Sequence, residues 1–160
     1  MFNLKAKFYL NLILILSVIS LISAYFIEYI LGHKPCNLCL IERIPYGLSI
    51  VLISLSFFQK KFEKFTVLLL ILIFSFSLLI SLYHFGIEQG FIEESSVCGL
   101  KNASEIISKE ELLKQLQEKN ISCKDVTFKI MGLSLTSYNI LISLLITISC
   151  VRIYLNYDKN

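Results

Sequence analysis

The sequence predicts an all-α integral membrane protein, a four-transmembrane-helix bundle with two extracytoplasmic loops. Three observations carry that fold class. Of the 160 residues, 56% are hydrophobic and only 17% are charged, whereas soluble domains average about 45–50% apolar and about 25% charged. The mean hydropathy is +0.72, and the excess is concentrated in four long uncharged runs. Finally, the basic residues gather in the segments that would share one membrane face. The length suits a single membrane domain, 1–160. A formal charge of +3 with no basic tract gives nucleic-acid binding no support.

The first run extends from about 8 to 30 and is uncharged until Glu28. A secretory signal has an apolar core of only about 7–15 residues and a small-residue cleavage site. This run is longer and no Ala-x-Ala follows it, so it reads as a transmembrane helix. The second run, from Ile44 to Phe58 in an expected helix of about 41–58, is the shortest, and falls below the roughly 20 residues that span a bilayer. Its helix therefore has reason to begin earlier, near Cys36 or Cys39. Pro45 then either bends it or sits in its first turn. The third and fourth runs cover about 65–85 and 133–155.

Four spans put both termini on one side. Lys5 and Lys7 precede the first helix, Lys60, Lys61 and Lys64 fill the turn between the second and third, and Arg152 and Lys159 end the fourth. The positive-inside rule places these regions in the cytoplasm. The opposite, extracytoplasmic side receives the loops at about 31–43 and 86–132. Within the long loop, 108–119 reads as a short helix with a Ser108/Glu111 capping box and a stripe of Leu112, Leu113 and Leu116.

Four of the five cysteines fall in those two loops: Cys36 and Cys39 in the first, Cys98 and Cys123 in the second. The fifth, Cys150, lies in the fourth helix and reads as a small apolar packing residue. A Cys-x-x-Cys serves redox sites, zinc sites and haem attachment. Haem attachment needs a His after the second Cys, and here Leu40 follows. Four thiolates at Cys36, Cys39, Cys98 and Cys123 would satisfy a structural zinc ion. An oxidising compartment favours disulfides, and no metal is expected.

Arg43 stands four residues past Cys39 and keeps its charge in any protein environment. If one helix carried both, they would share a face. Near a bilayer such a cation needs an anionic partner, and a Cys39 thiolate, a reduced quinone oxygen, Glu28 or Glu42 qualify. Spacing alone does not separate this reading from an arginine snorkelling to headgroups. His84, at the outer end of the third helix, is placed either to donate to a quinone oxygen or to meet interfacial water. Tyr46 reads as an interfacial belt residue.

The stretch Pro35-Cys36-Asn37-Leu38-Cys39-Leu40-Ile41-Glu42-Arg43 resembles the P-C-x-L-C-x-x-x-R signature of the bacterial disulfide bond formation protein B family, DsbB. Tyr83-His84-Phe85-Gly86-Ile87-Glu88 resembles its Y-H-x-G-x-E segment. Cys123 with Gly132-Leu133-Ser134-Leu135-Thr136-Ser137-Tyr138-Asn139 resembles the approach to its fourth helix. The resemblance covers nearly the whole chain except 99–120.

It implies a membrane thiol:quinone oxidoreductase of the bacterial inner membrane. Such an enzyme reoxidises a DsbA-type thioredoxin-fold oxidase and passes the electrons to ubiquinone or menaquinone in the membrane quinone pool. It further implies disulfides Cys36–Cys39 and Cys98–Cys123, with all four cysteines catalytic. Cys98 would make the mixed disulfide, Cys123 would attack Cys36, and Cys39 would be left as a thiolate near Arg43 and His84. The direction of flow is reasonable, because DsbA-type proteins are strong oxidants at about −120 mV, so oxidising their dithiol needs a powerful acceptor. Two rival classes remain. One is a vitamin-K-epoxide-reductase-like enzyme, which usually carries its Cys-x-x-Cys in the last helix. The other is a membrane scaffold whose disulfides only brace its loops.

Overall fold

The computed structural model describes residues 4–58, 63–93, 122–124, 129–130 and 132–157. Cys98, Lys60, Lys61, Lys159 and the expected helix at 108–119 lie outside the described residues. The described chain forms helices α1 (Leu4–Tyr29), α2 (Asn37–Ile41), α3 (Ile44–Phe58) and α4 (Glu63–Glu88). A two-residue ribbon, β1 (Lys129–Ile130) and β2 (Leu133–Ser134), precedes α5 (Leu135–Tyr157). The protein is a four-span helical membrane protein, its spans being Lys7–Tyr29, Asn37–Phe58, Glu63–Glu88 and Leu135–Asn156. A bilayer interior offers no water to backbone N–H and C=O groups, so long apolar runs can cross it only as helices that satisfy themselves.

The second span is made of two helices. Pro45 has no N–H to offer the Ile41 carbonyl, and its ring clashes there. The ladder therefore breaks at Glu42–Arg43, where Arg43 N–H donates to the Leu40 carbonyl at 3.2 Å. It resumes in α3 with Pro45 in the first turn, where a missing donor costs nothing. Cys36 caps α2, its Sγ accepting from the Cys39 N–H at 3.2 Å. The break means that Cys39 and Arg43 do not share one continuous helical face.

Helix α1 packs against α3 and α5, and α4 packs against α3 and, most extensively, α5. Leu10, Ile13, Ile53, Leu70, Phe74 and Ile146 fill the centre, together with the Cys150 thiol, and all are buried. Lipid tails are as apolar as leucine, so burial alone does not hold such helices together. Small polar residues therefore sit at the contacts. Ser49 meets Ser17 at 2.9 Å across α3 and α1, and Ser77 meets Ser143 at 3.3 Å across α4 and α5. Large side chains such as Phe58, Phe76 and Leu145 point outward, as a lipid-facing surface requires.

Two glycines shape the end that carries the cysteines. At Gly86 a Cβ would meet Ile92 Cδ1 at 2.6 Å, because the chain leaving α4 folds back. The N–H groups of Phe91 and Ile92 both donate to the Gly86 carbonyl. Gly132, at φ +83°, turns the ribbon so that Ile130 pairs with Leu133 and Lys129 with Ser134. That turn brings Ser134 and Thr136 back onto the end of α4. At the other end Lys64 of α4 lies 5.3 Å from the ring centroid of Tyr154 of α5, on the same side as Lys7 and Arg152.

Candidate functional site

Cys36 and Cys39 form a disulfide. Cys36 is buried, and Cys39 is half-buried. Cys36 packs with Leu38, Ile87 and Cys123 in a small apolar cluster separate from the bundle core. Cys123 is 2% exposed and does not carry a free thiol. Its expected partner Cys98 lies outside the described residues, so that pairing stays an expectation. Cys150 is a free thiol sealed in the core.

His84 reaches this cluster from the last turns of α4 and is 2% exposed, so it is not an interfacial histidine. Its Nε2 lies 3.6 Å from Cys36 Sγ. Its Nδ1 lies 3.0 Å from Glu42 Oε1 and 3.3 Å from Thr136 Oγ1. Thr136 spends its single hydroxyl proton on Glu88 Oε1 at 2.6 Å. In its contact with His84 it therefore accepts from Nδ1, and Nε2 is the ring nitrogen that faces Cys36.

The carboxylates are themselves held. Asn139 Nδ2 donates to Glu42 Oε2 at 3.0 Å and contacts Ser81 Oγ at 2.7 Å. Tyr46 donates its hydroxyl to Asn139 Oδ1. Ser134 donates to Glu88 Oε2 at 2.6 Å, and Glu88 Oε1 lies 3.9 Å from His84 Nε2. Buried polar groups in low dielectric are costly unless they are satisfied in this way. The network joins α4 and α5 to the turn after α2.

Arg43 has partners of its own. It forms an ion pair with Glu28 of α1, and its guanidinium lies 5.1 Å from the centroid of the Tyr25 ring. Of the anionic partners the sequence allowed, Glu28 is the one it meets. Glu42 is committed to His84 and Asn139.

These pieces surround a cavity of about 330 Å³ at the cysteine end of the bundle. Cys39, Arg43, Glu42, His84 and Asn139 supply its polar wall. Apolar side chains of α1 and α5, among them Leu21, Ile27 and Ile142, extend it into the membrane. Tyr46 also lines it and is 4% exposed, which corrects the expectation of a belt residue. A tyrosine at a helix end looks alike in sequence whether it faces lipid or folds inward.

Glu88, Thr136, Ser134 and Asn139 lie in the stretches that carry the resemblance, but sequence reasoning assigned none of them a place in the site. The signal was present for one of them, since Glu88 stands four residues after His84 on the same face of α4. The others come from β2 and α5, more than 40 residues away in sequence, and nothing in local spacing announces that contact.

The fold and site define a multi-pass membrane protein with an active-site-like disulfide at one end of its bundle. The profile of the family described as Disulfide bond formation protein DsbB matches residues 6–153, and the chain belongs to that family. It is also 32% identical, over 155 residues, to the uncharacterized protein RP370 of Rickettsia prowazekii (strain Madrid E). That match covers 94% of this chain and 90% of the relative. No solved structure matches. Family membership makes the protein a disulfide-forming membrane protein with disulfide oxidoreductase chemistry.

Proposed function

We propose that the protein is a thiol:quinone oxidoreductase that reoxidises a DsbA-type dithiol oxidase in the periplasm. The observation that carries this reading is the Cys36–Cys39 disulfide beside a largely apolar membrane cavity with Arg43 on its wall. A disulfide that only braced a loop would need neither the cavity nor the cation.

The residues suit a quinone. The cavity has the size of ordinary small-molecule sites, about 300–1,000 Å³. Its polar groups sit at one end and its apolar wall runs toward the bilayer, which matches a polar ring on a lipid tail. When bound, ubiquinone or menaquinone supplies a two-electron, two-proton acceptor. Arg43, Glu42, His84 and Asn139 would hold its polar end.

In this proposal the soluble partner's thiolate attacks a Cys98–Cys123 disulfide at Cys98, which frees Cys123 as a thiolate. Cys123 then attacks Cys36. The Cys36–Cys39 bond breaks, a Cys36–Cys123 bond forms, and Cys39 leaves as a thiolate. The shared cluster of Cys36 and Cys123 supports this exchange. Cys39 is the less buried of the pair, as suits a sulfur that gives up electrons to an acceptor in the cavity. Arg43 holds negative charge at the cavity wall, and Glu28 keeps the cation oriented. The partner's second thiol then resolves the mixed disulfide and frees Cys98, and Cys98 displaces Cys36 from Cys123 and restores the Cys98–Cys123 bond. His84, with its Nε2 on Cys36, holds or releases the proton of the Cys36 thiol so freed. Over the cycle two protons and two electrons leave the partner dithiol and end on the acceptor.

The charge map supports an inner-membrane orientation with both termini in the cytoplasm and the cysteine end in the periplasm. The test is quinone reduction by purified protein given a reduced DsbA-type partner, with ubiquinone and menaquinone analogues compared. Reduction of at least one is expected. Absence of reduction with both would overturn the reading.

A further inference from the structure

Cys36 Sγ, Cys39 Sγ and one ring nitrogen of His84 all lie within 4.8 Å of one another. In the oxidised protein the two sulfurs are bonded to each other. The geometry points to a site for a divalent cation of the Zn²⁺ class, which forms at Cys36, Cys39 and His84 when that disulfide is reduced.

Tetrahedral zinc takes thiolate at about 2.3 Å and imidazole at about 2.0–2.1 Å. The sulfur–nitrogen edge of such a tetrahedron is then about 3.6 Å, and the observed Cys36 Sγ to His84 Nε2 distance is 3.6 Å. The Cys-x-x-Cys spacing is itself common among zinc ligands. Nε2 faces Cys36, while Nδ1 faces Glu42 at 3.0 Å. A carboxylate on the far nitrogen is the usual companion of a zinc-bound histidine, fixing its tautomer and raising its basicity. Asn139 in turn fixes Glu42. The donor set therefore comes with its supporting shell. It differs from a four-cysteine site, because the third ligand comes from α4 and not from the long loop. One tetrahedral position remains for water.

The step balances without electron transfer to the metal. A dithiol, in the proposed cycle the partner's, reduces the Cys36–Cys39 disulfide to two thiols and becomes a disulfide. The cation then binds two thiolates and one neutral imidazole, and two protons are released. Binding selects the reduced form. A cation at a hundredfold excess over its Kd would favour the dithiol by about a hundredfold, which is a shift of about 59 mV at about 29.6 mV per tenfold. The cation would thus hold the site reduced and oppose reoxidation.

The inference uses the reducibility of the disulfide that the proposed function requires, yet binding needs neither quinone nor partner. The test takes the full chain in detergent, reduced with a phosphine and freed of reductant under argon, and titrates it with Co²⁺. We expect one Co²⁺ per chain, with a thiolate-to-metal charge-transfer band and the visible bands of a tetrahedral site, displaced by Zn²⁺. The oxidised protein should show neither. Glu42→Gln should weaken affinity by about 10–100-fold, and His84→Ala by at least as much. A Cys98→Ser/Cys123→Ser variant should keep the site, which excludes the other thiol pair as its source. No charge-transfer band, or an unchanged affinity in His84→Ala, would overturn the inference. If His84→Ala does not purify folded, Cys36→Ser must lose the bands instead. Quinone reduction without Co²⁺ bands would sink this inference alone, and bands without quinone reduction would sink the proposed function alone.

Discussion

His84 stands between Cys36 and Glu42, with Nε2 at 3.6 Å from the sulfur and Nδ1 at 3.0 Å from the carboxylate. A buried imidazole that is oriented by a carboxylate and aimed at a sulfur is an arrangement for managing a thiol proton. His84→Gln should slow single-turnover thiol oxidation by roughly 10²-fold, the lower part of the usual range for general acid–base groups. Stopped-flow quinone reduction would read it. An unchanged rate would assign His84 to packing.

Arg43 and Glu28 test a different part of the wall. Their side chains are only 15% and 21% exposed, so removing one partner strands the other in a poorly solvated place. Arg43→Ala should raise the KM for quinone while leaving thiol exchange with the partner protein intact. In unfolding measurements, Arg43→Ala and Glu28→Gln should each destabilise. The double variant should lose less than their sum, with a coupling of about 0.5–3 kcal/mol. Strict additivity would show that the pair is not formed in the membrane.

Gly86→Ala places a methyl against Ile92 Cδ1. Overpacking of this kind costs about 1–3 kcal/mol. Ile92→Ala in the same chain should recover most of it, because the obstacle is the end of one side chain. Thermal unfolding of the single and double variants checks this. If the double variant stays as unstable as Gly86→Ala, the turn after α4 is shaped by something other than that contact.

Ser49→Ala removes a hydroxyl that bonds both Ser17 and the Tyr46 carbonyl. Interhelical hydrogen bonds in bilayers average only about 0.6 kcal/mol. The expected loss is therefore about 0.6 kcal/mol, measured by reversible unfolding in mixed micelles. A loss several times larger would mean that the α1–α3 contact depends on this one bond.

The spans were legible because a bilayer permits so few structures, and hydropathy alone nearly decides them. The break after α2 was half legible. Pro45 announced it, but a bent helix and a first-turn proline fit the same letters. The cysteines, Arg43 and His84 were found because their chemistry is rare in apolar surroundings. Glu28 was among the partners open to Arg43, but the network around His84 was not foreseen, because Asn139, Thr136 and Tyr46 are ordinary residues whose role depends on which way each helix is turned. Glu42 shows the limit most clearly. Next to Arg43 in sequence, it turns instead to His84 and Asn139, while Arg43 pairs with Glu28 of α1.

The most direct measurement is anaerobic stopped-flow quinone reduction, with the reduced partner protein as donor, comparing wild type with Cys36→Ser and Cys39→Ser. Electron transfer through the Cys36–Cys39 pair predicts full turnover in wild type and none in either variant. Quinone reduction that persists in a variant would contradict the central claim that thiol electrons leave the protein through this pair.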